Sequence, residues 1–272
     1  MIKSISNNEF ELFRAHIKKR YGINLSDEKK TLVYSRLRSV IEQLGLSSFE
    51  EYYDCILKDK DGDLTKKFVD KITTNHTFFM REREHFNYLV SNVLPAIEER
   101  HAGSKDVRLW CAGCSSGEEA YTLQILLQEY FERKSGWDIS MLATDISNQM
   151  LNKAYKGIYP KAGIDELPKE WRTKYFENYD SENMIVKDFL KKNMNFSRLN
   201  FIEDPFKFKK PFQVIFCRNV MIYFDAETRA GLVKRFYDAS ESGAYLFIGQ
   251  SESLGYSDTE YKYIMPAVYK KE

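Results

Sequence analysis

Apolar positions recur at helical spacing through the first ~70 residues. Phe10, Phe13 and Ile17 fall on one face of a helix that Gly22 can end. Ser26 then offers an N-cap for a second helix, whose stripe of Val33, Leu37, Val40, Ile41 and Leu44 runs up to Gly45. Ser48 and Glu51 have the spacing of a capping box, ahead of Tyr52, Tyr53, Ile56 and Leu57. Leu64, Phe68 and Ile72 predict one more short helix. No strand pattern interrupts this stretch, so residues 1–72 are expected to form a small all-α domain.

Residues 75–82 have no clean period, and the join between domains falls there, at about 73–84. A helix carrying Phe86, Leu89, Val93, Leu94 and Ile97 follows and ends at His101-Ala102-Gly103. The pattern then changes. Residues 107–110 read as a strand running into a glycine-containing turn at 112–117. Tyr121, Ile125, Leu126 and Tyr130 mark a long amphipathic helix, and residues 139–145 a second strand. Strand, helix, strand is the unit of a parallel sheet, so the fold class is α/β. Further strands are expected at 213–217, 245–249 and 265–270, with a small β insert at about 160–200, centred near 184–187.

Composition changes this picture little. The 272 residues suffice for a domain of 73–272 behind the helical one. A net charge of +1 argues against general nucleic-acid binding. No apolar leader and no membrane-length run is visible, so a cytoplasmic protein with reduced thiols is expected. Cys111 and Cys114 form a C-x-x-C without the second ligand pair that zinc needs. A redox role competes with simple packing around a strand end and a tight turn, and packing is favoured. No metal is expected.

The turn after the first strand is where doubly wound folds bind ligands. Gly113 and Gly117 permit close backbone approach there. The G-x-G-x-x-G fingerprint and a Walker lysine are both absent. Glu118 and Glu119 open the following helix instead. They suit a helix N-terminus but would repel a pyrophosphate. A phosphate-free ligand with donors or positive charge fits better, and S-adenosylmethionine has both. Asp145, ending the second strand, is placed to accept hydrogen bonds from ribose hydroxyls. Glu118 as a helix cap and Asp145 as a turn residue are the plainer readings of each acid.

Five runs then resemble one family. They are Asn75-x-Thr77-x-Phe79-x-Arg81-Glu82, residues 112–119 (Ala-Gly-Cys-Ser-Ser-Gly-Glu-Glu), residues 143–147, residues 216–224 (Phe-Cys-Arg-Asn-Val-Met-Ile-Tyr-Phe) and residues 249–253 (Gly-Gln-Ser-Glu-Ser). Together they resemble the chemotaxis receptor methyltransferases (CheR) over essentially the whole chain. The resemblance implies a Rossmann-like S-adenosylmethionine-dependent methyltransferase domain behind a helical receptor-docking domain. It implies cofactor contacts from Asn75, Thr77, Arg81, Gly113, Glu118 (methionine portion), Asp145 (ribose), Asn200 and Phe201 (adenine), and Cys217, Arg218 and Asn219. It places Arg81 and Tyr223 nearest the transferred methyl. The implied reaction esterifies glutamate side chains in the cytoplasmic helical domain of chemotaxis receptors, for sensory adaptation.

A glutamate is already ionised at pH 7 and needs no general base to attack a sulfonium methyl. The enzyme must align the atoms and exclude water. An arginine can hold the carboxylate and a tyrosine can donate one more bond. Read without the family, Arg81 and Arg218 would be interdomain ion-pair residues and Tyr223 core packing. Arg36 and Arg38 are candidates for docking an acidic receptor helix, against the plain reading of a solvated face. Some relatives tether to a receptor-tail peptide through a glycine-containing loop in the β insert. Residues 178–183 (Asn-Tyr-Asp-Ser-Glu-Asn) look shorter and lack glycine, so no such tether is expected. The alternatives are an RNA or DNA methyltransferase, which lacks its usual motifs here, and a non-catalytic S-adenosylmethionine-binding signalling module.

Overall fold

The helices expected from the apolar spacing form the front of the molecule. In the computed structural model, which describes residues 4–60, 62–255 and 259–272, they are α1 (Asn7–Tyr21), α2 (Lys30–Gln43), α3 (Phe49–Lys58) and α4 (Asp63–Ile72). Their apolar faces close on a core of their own. Phe13 is fully buried there, against the rings of Phe49, Tyr52 and Phe68. Ser6 and Glu9 form a capping box on α1 that the periodicity did not reveal. Gly22 ends α1 at φ 73°, a left-handed conformation suited to glycine. Ser48 caps α3 through the Glu51 N–H (3.1 Å), but the Glu51 carboxylate reaches back to Ser47 N rather than Ser48 N. Ser26 makes no side-chain cap bond; a single 3-10 turn (Asp27–Lys29) separates it from α2.

The helix expected around residues 86–97 is α5 (Arg83–Tyr88) and α6 (Leu94–Arg100), joined by a π turn over Leu89–Val93. The Leu94 N–H reaches back to Leu89 O, and Pro95 beside it has no N–H to give. Then follow β1 (Leu109–Ala112), α7 (Glu118–Phe131), β2 (Met141–Asp145), α8 (Asn148–Lys156), β3 (Ile158–Pro160), α9 (Lys169–Tyr175), β4 (Phe176–Asn178), β5 (Asn183–Val186), α10 (Asp188–Lys191), β6 (Met194–Arg198), β7 (Phe212–Cys217), α11 (Ala226–Ala239), β8 (Ser240–Ile248), β9 (Lys262–Met265) and β10 (Val268–Lys270).

The main sheet has the order β6-β2-β1-β7-β8-β10-β9. Its first five strands are parallel, and β10 and β9 add an antiparallel edge. Every residue of β1 and β7 is buried, as mostly apolar runs in a covered parallel sheet should be, and the one polar member, Gln213, bonds to backbone groups of residues 106 and 108. Trp110 Nε1 donates to Thr144 Oγ1 (2.9 Å), tying β1 to β2 below the ligand end. Two expectations need correction. The strand expected at 265–270 is half of a hairpin, because Ala267 turns the chain at φ 63°. The insert is the small antiparallel sheet β3-β5-β4, which begins at Ile158, and β6, inside the expected insert, belongs to the main sheet. Among the described residues no helix is long and apolar enough to cross a membrane.

Candidate active site

The carboxyl ends of β1, β2 and β7 meet the helical domain across a cleft. Its empty space, open mouth included, is about 1400 Å³. At the end of β1 the N–H groups of Gly113 and Cys114 both donate to Thr144 O (2.7 and 2.9 Å). Gly113 sits at φ 91°, and a Cβ there would lie 2.5 Å from Val220 Cγ2. Only glycine lets the turn pass under the loop after β7.

Asp145 is buried at the end of β2 and lines the cleft. Its Oδ2 accepts from Ser115 N (2.8 Å) and its Oδ1 from Ser147 N (2.8 Å). Burial raises its carboxyl above the ordinary range, against the pull of those N–H groups. Each oxygen keeps a lone pair for a ligand hydroxyl.

Asn75, Thr77, Arg81, Gly113, Asp145, Asn200, Phe201, Arg218, Asn219 and Tyr223 all line this one cleft. Glu118 and Cys217 do not. Glu118 turns toward Ser116, whose Oγ donates to it (2.7 Å), and burial raises its carboxyl. Its neighbour Glu119 faces the cleft instead. The sequence shows two acids at the helix start, but helical phase decides which one points inward. The Cys217 thiol lies in the apolar layer under α11, with Leu232, Val233 and Phe236. Cys111 and Cys114 are likewise buried, one in β1 and one in the turn, and burial pushes both thiols well up.

Arg218 carries the main charge in the wall. Its side chain has no exposed surface, and its guanidinium lies 3.3 Å from Glu82 and 3.4 Å from Glu119. Nη2 donates to Arg81 O. The Nε approach to Glu119 is an ion pair without hydrogen-bond alignment, and among the described residues Nη1 has no hydrogen-bond partner. An enclosed donor in that state is costly, and its positive charge acts on the cleft from behind the wall. Arg81 is less enclosed, at 27% exposure. Its Nη1 donates to His76 O (2.8 Å), and its guanidinium carbon stands 5.8 Å from the centre of the Phe78 ring. Tyr223 Oη makes a long contact to Thr74 O (3.4 Å).

The helical domain is part of this cleft. Asn24 N donates to Tyr223 O (2.7 Å), Ile23 forms an antiparallel bridge with Phe224, and Lys18 pairs with Asp225 (2.9 Å). Asn200, expected near an adenine, has its amide on Arg20 O (2.8 Å) and its Oδ1 on Ile202 N (3.0 Å), so its side chain joins the domains. Phe201 packs edge-on against Trp110. Arg36, expected on a docking surface, turns inward: Nη1 donates to Ile72 O (2.6 Å) and Thr73 O (3.1 Å), and Nη2 to Thr74 Oγ1 (3.1 Å). Those carbonyls end α4 and have no partners within the helix, which is why a nearby guanidinium takes them. Arg38 stays exposed and pairs with Glu42 (2.8 Å).

A parallel sheet with a glycine turn at one strand tip, an acid at the next and no phosphate fingerprint is the kind of site an S-adenosylmethionine-dependent methyltransferase has. The comparisons narrow the class. Residues 75–270 match the family domain described as "CheR methyltransferase, SAM binding domain", and residues 8–73 match "CheR methyltransferase, all-alpha domain". The chain is 41% identical over 271 residues to the chemotaxis protein methyltransferase of Borreliella burgdorferi, covering 98% of this chain and 95% of that one. It is 34% identical over 265 residues to chemotaxis protein methyltransferase 1 of Pseudomonas aeruginosa, covering 96% of each. The chain belongs to the CheR methyltransferase family.

Proposed function

We propose that this protein transfers the methyl group of S-adenosylmethionine to glutamate side chains in the cytoplasmic helical domain of chemotaxis receptors, forming methyl esters in the cytoplasm. Near full-length likeness to chemotaxis protein methyltransferases supports the setting. The observation that carries the chemistry is Arg81: a partly exposed guanidinium in the cleft wall, held by one carbonyl and 3.9 Å from Glu82, with donors left for a carboxylate.

Bound S-adenosylmethionine supplies an electrophilic methyl group. Asp145 would hold the ribose hydroxyls, and the positive charge of Arg218 in the wall would attract the amino-acid carboxylate. Arg81 would orient the incoming glutamate, and Tyr223 would donate a hydrogen bond beside it. The substrate arrives ionised, so these residues align it and displace its water rather than remove a proton. Arg38 is the exposed guanidinium of α2 left for a receptor helix. The turn from β4 to β5 is closed by Asp180, which accepts from Glu182 N (2.8 Å) and Asn183 N (2.7 Å). So short a hairpin supports activity without a receptor-tail tether.

The test uses methyl-labelled cofactor, purified protein and receptor cytoplasmic fragments. Base-labile label on glutamate is expected. Base-stable label would mean N- or C-methylation and would overturn the substrate assignment. Arg81→Ala should lower turnover by about 100-fold with the fold intact, on the scale of removing one preorganised charge donor. Unchanged turnover removes Arg81 from the site.

A further inference from the structure

The run at residues 249–253 holds a buried acid that the proposed chemistry does not use. We propose that Glu252 is a positioning residue, holding the loop after β7 in the conformation that presents Tyr223 to the cleft. This rests on the functional reading above.

Glu252 is 6% exposed, and its hydrogen bonds come from backbone N–H groups rather than from a cation. Oε2 accepts from Asn219 N (3.0 Å) and Gly249 N (2.5 Å), and Oε1 accepts from Ile222 N (3.0 Å). Two of these three donors flank the turn that leads into Tyr223. Asn219 stands at φ 58°, a left-handed conformation that asparagine tolerates better than most non-glycine residues, and the Glu252 carboxylate fixes it there through its N–H. The approach is close enough that a Cβ on Gly249 would lie 2.5 Å from Asn219 Nδ2 and 2.9 Å from Asn219 N.

A second carboxylate grips the same turn from the linker. Glu82, itself at φ 55°, accepts from Asn219 Nδ2 (3.2 Å) and from Gln250 N (3.1 Å). It follows Arg81 directly, so one network fixes both residues proposed to face the methyl. On the far side, Asn24 N holds the Tyr223 carbonyl. Tyr223 is therefore held through Ile222 by Glu252 before it and by the helical domain after it. Burial raises the Glu252 carboxyl, and the N–H groups oppose that rise. A dry carboxylate is costly for a fold, and here it buys a fixed turn at the cleft.

The test is Glu252→Gln in the full chain. The amide keeps the shape but turns an NH2 toward N–H groups that need an acceptor. With a fluorotyrosine at position 223, fluorine NMR of the wild type should show one narrow line, and the variant a shifted or split one. Turnover should fall about 10- to 100-fold while KM for S-adenosylmethionine changes less than about threefold. Combined with Tyr223→Phe, the losses should not multiply, because both variants remove one arrangement. An unmoved line, wild-type turnover or fully multiplicative losses would each overturn the proposal. If the glutamine variant fails to fold, Glu252→Asp, which keeps the charge but shortens the reach, is read by the same measurements. If the wild type methylates no receptor fragment, the functional reading fails, and the fluorine line alone decides the clamp.

Discussion

Arg36→Ala separates a latch from a docking surface. Arg36 donates to the last carbonyls of α4 and to Thr74 Oγ1, in a half-buried site. Bonds from a charged donor contribute about 1.5–3 kcal/mol each when dry, but water can replace some of that here, so about 2 kcal/mol in total is a fair expectation. For a chain of this size that is roughly 4–8 °C in melting temperature. The effect should reach the cleft, because Thr73 and Thr74 line it and Tyr223 rests on Thr74 O. Affinity for S-adenosylhomocysteine, read by calorimetry, should therefore fall about three- to tenfold, equivalent to about 1 kcal/mol. Arg38→Ala is the control. Its exposed pair with Glu42 should leave melting and product affinity unchanged, while Arg38→Glu should weaken binding to receptor fragments. If Arg36→Ala melts like Arg38→Ala and binds product like the wild type, the latch is idle and Arg36 returns to the docking surface.

His85 should shape the acid limb of stability. It is 1% exposed, and burial together with the nearby Arg218 charge pushes its pKa down to about 4 from 6.5, against the pull of Glu82. The unfolded chain takes the proton first, so stability is lost as pH falls from about 6.5 to 4. The buried carboxyls of Asp145, Glu118, Glu119 and Glu252 are raised and act in the opposite sense, so the measurement is a difference. Urea midpoints of His85→Gln should fall less steeply than the wild type across that window; parallel curves would refute the assignment. Gly113→Ala forces a Cβ into Val220 at a positive φ. Left-handed strain of about 1–2 kcal/mol and overpacking of about 1–3 kcal/mol should lower the melting temperature and abolish measurable product binding. Wild-type affinity would show that the turn does not shape the cleft.

What the sequence made legible follows the strength of each physical signal. The front helices were readable because their stripes at Phe10–Phe13–Ile17 and Val33–Leu37–Val40–Ile41 are buried on one side only. The runs in β1, β2 and β7 were readable because covered parallel strands are mostly apolar, broken here only by Gln213 in β7 and by Thr144 and Asp145 at the end of β2. β6 was lost because it is an edge strand with one buried residue, Met194, so its pattern resembles a loop. α11 was lost although Asp225 caps it through Thr228 N (2.9 Å), because its buried residues, Leu232, Val233 and Phe236, all lie from its midpoint onward and its first turns show no stripe. Within the site, residue types were legible but aim was not. Two adjacent acids and two nearby arginines carry no mark of which turns inward, and the structure selects Glu119 over Glu118 and Arg36 over Arg38.

That selection sharpens the argument about charge. Glu119 and Asp145 stand in the cleft wall with carboxyls raised by burial. An acid in that state is stabilised by a ligand that brings positive charge and destabilised by one that brings phosphate. Beside Glu119, at 3.4 Å, lies Arg218, with a buried donor that has no partner among the described residues. An acid and an enclosed guanidinium side by side give the wall charges of both signs, which suits a zwitterionic ligand group. The amino-acid end of S-adenosylmethionine has that form, and a dinucleotide has nothing like it. The missing phosphate fingerprint in the turn and the charges of both signs in the wall therefore favour the same kind of ligand, one without phosphates.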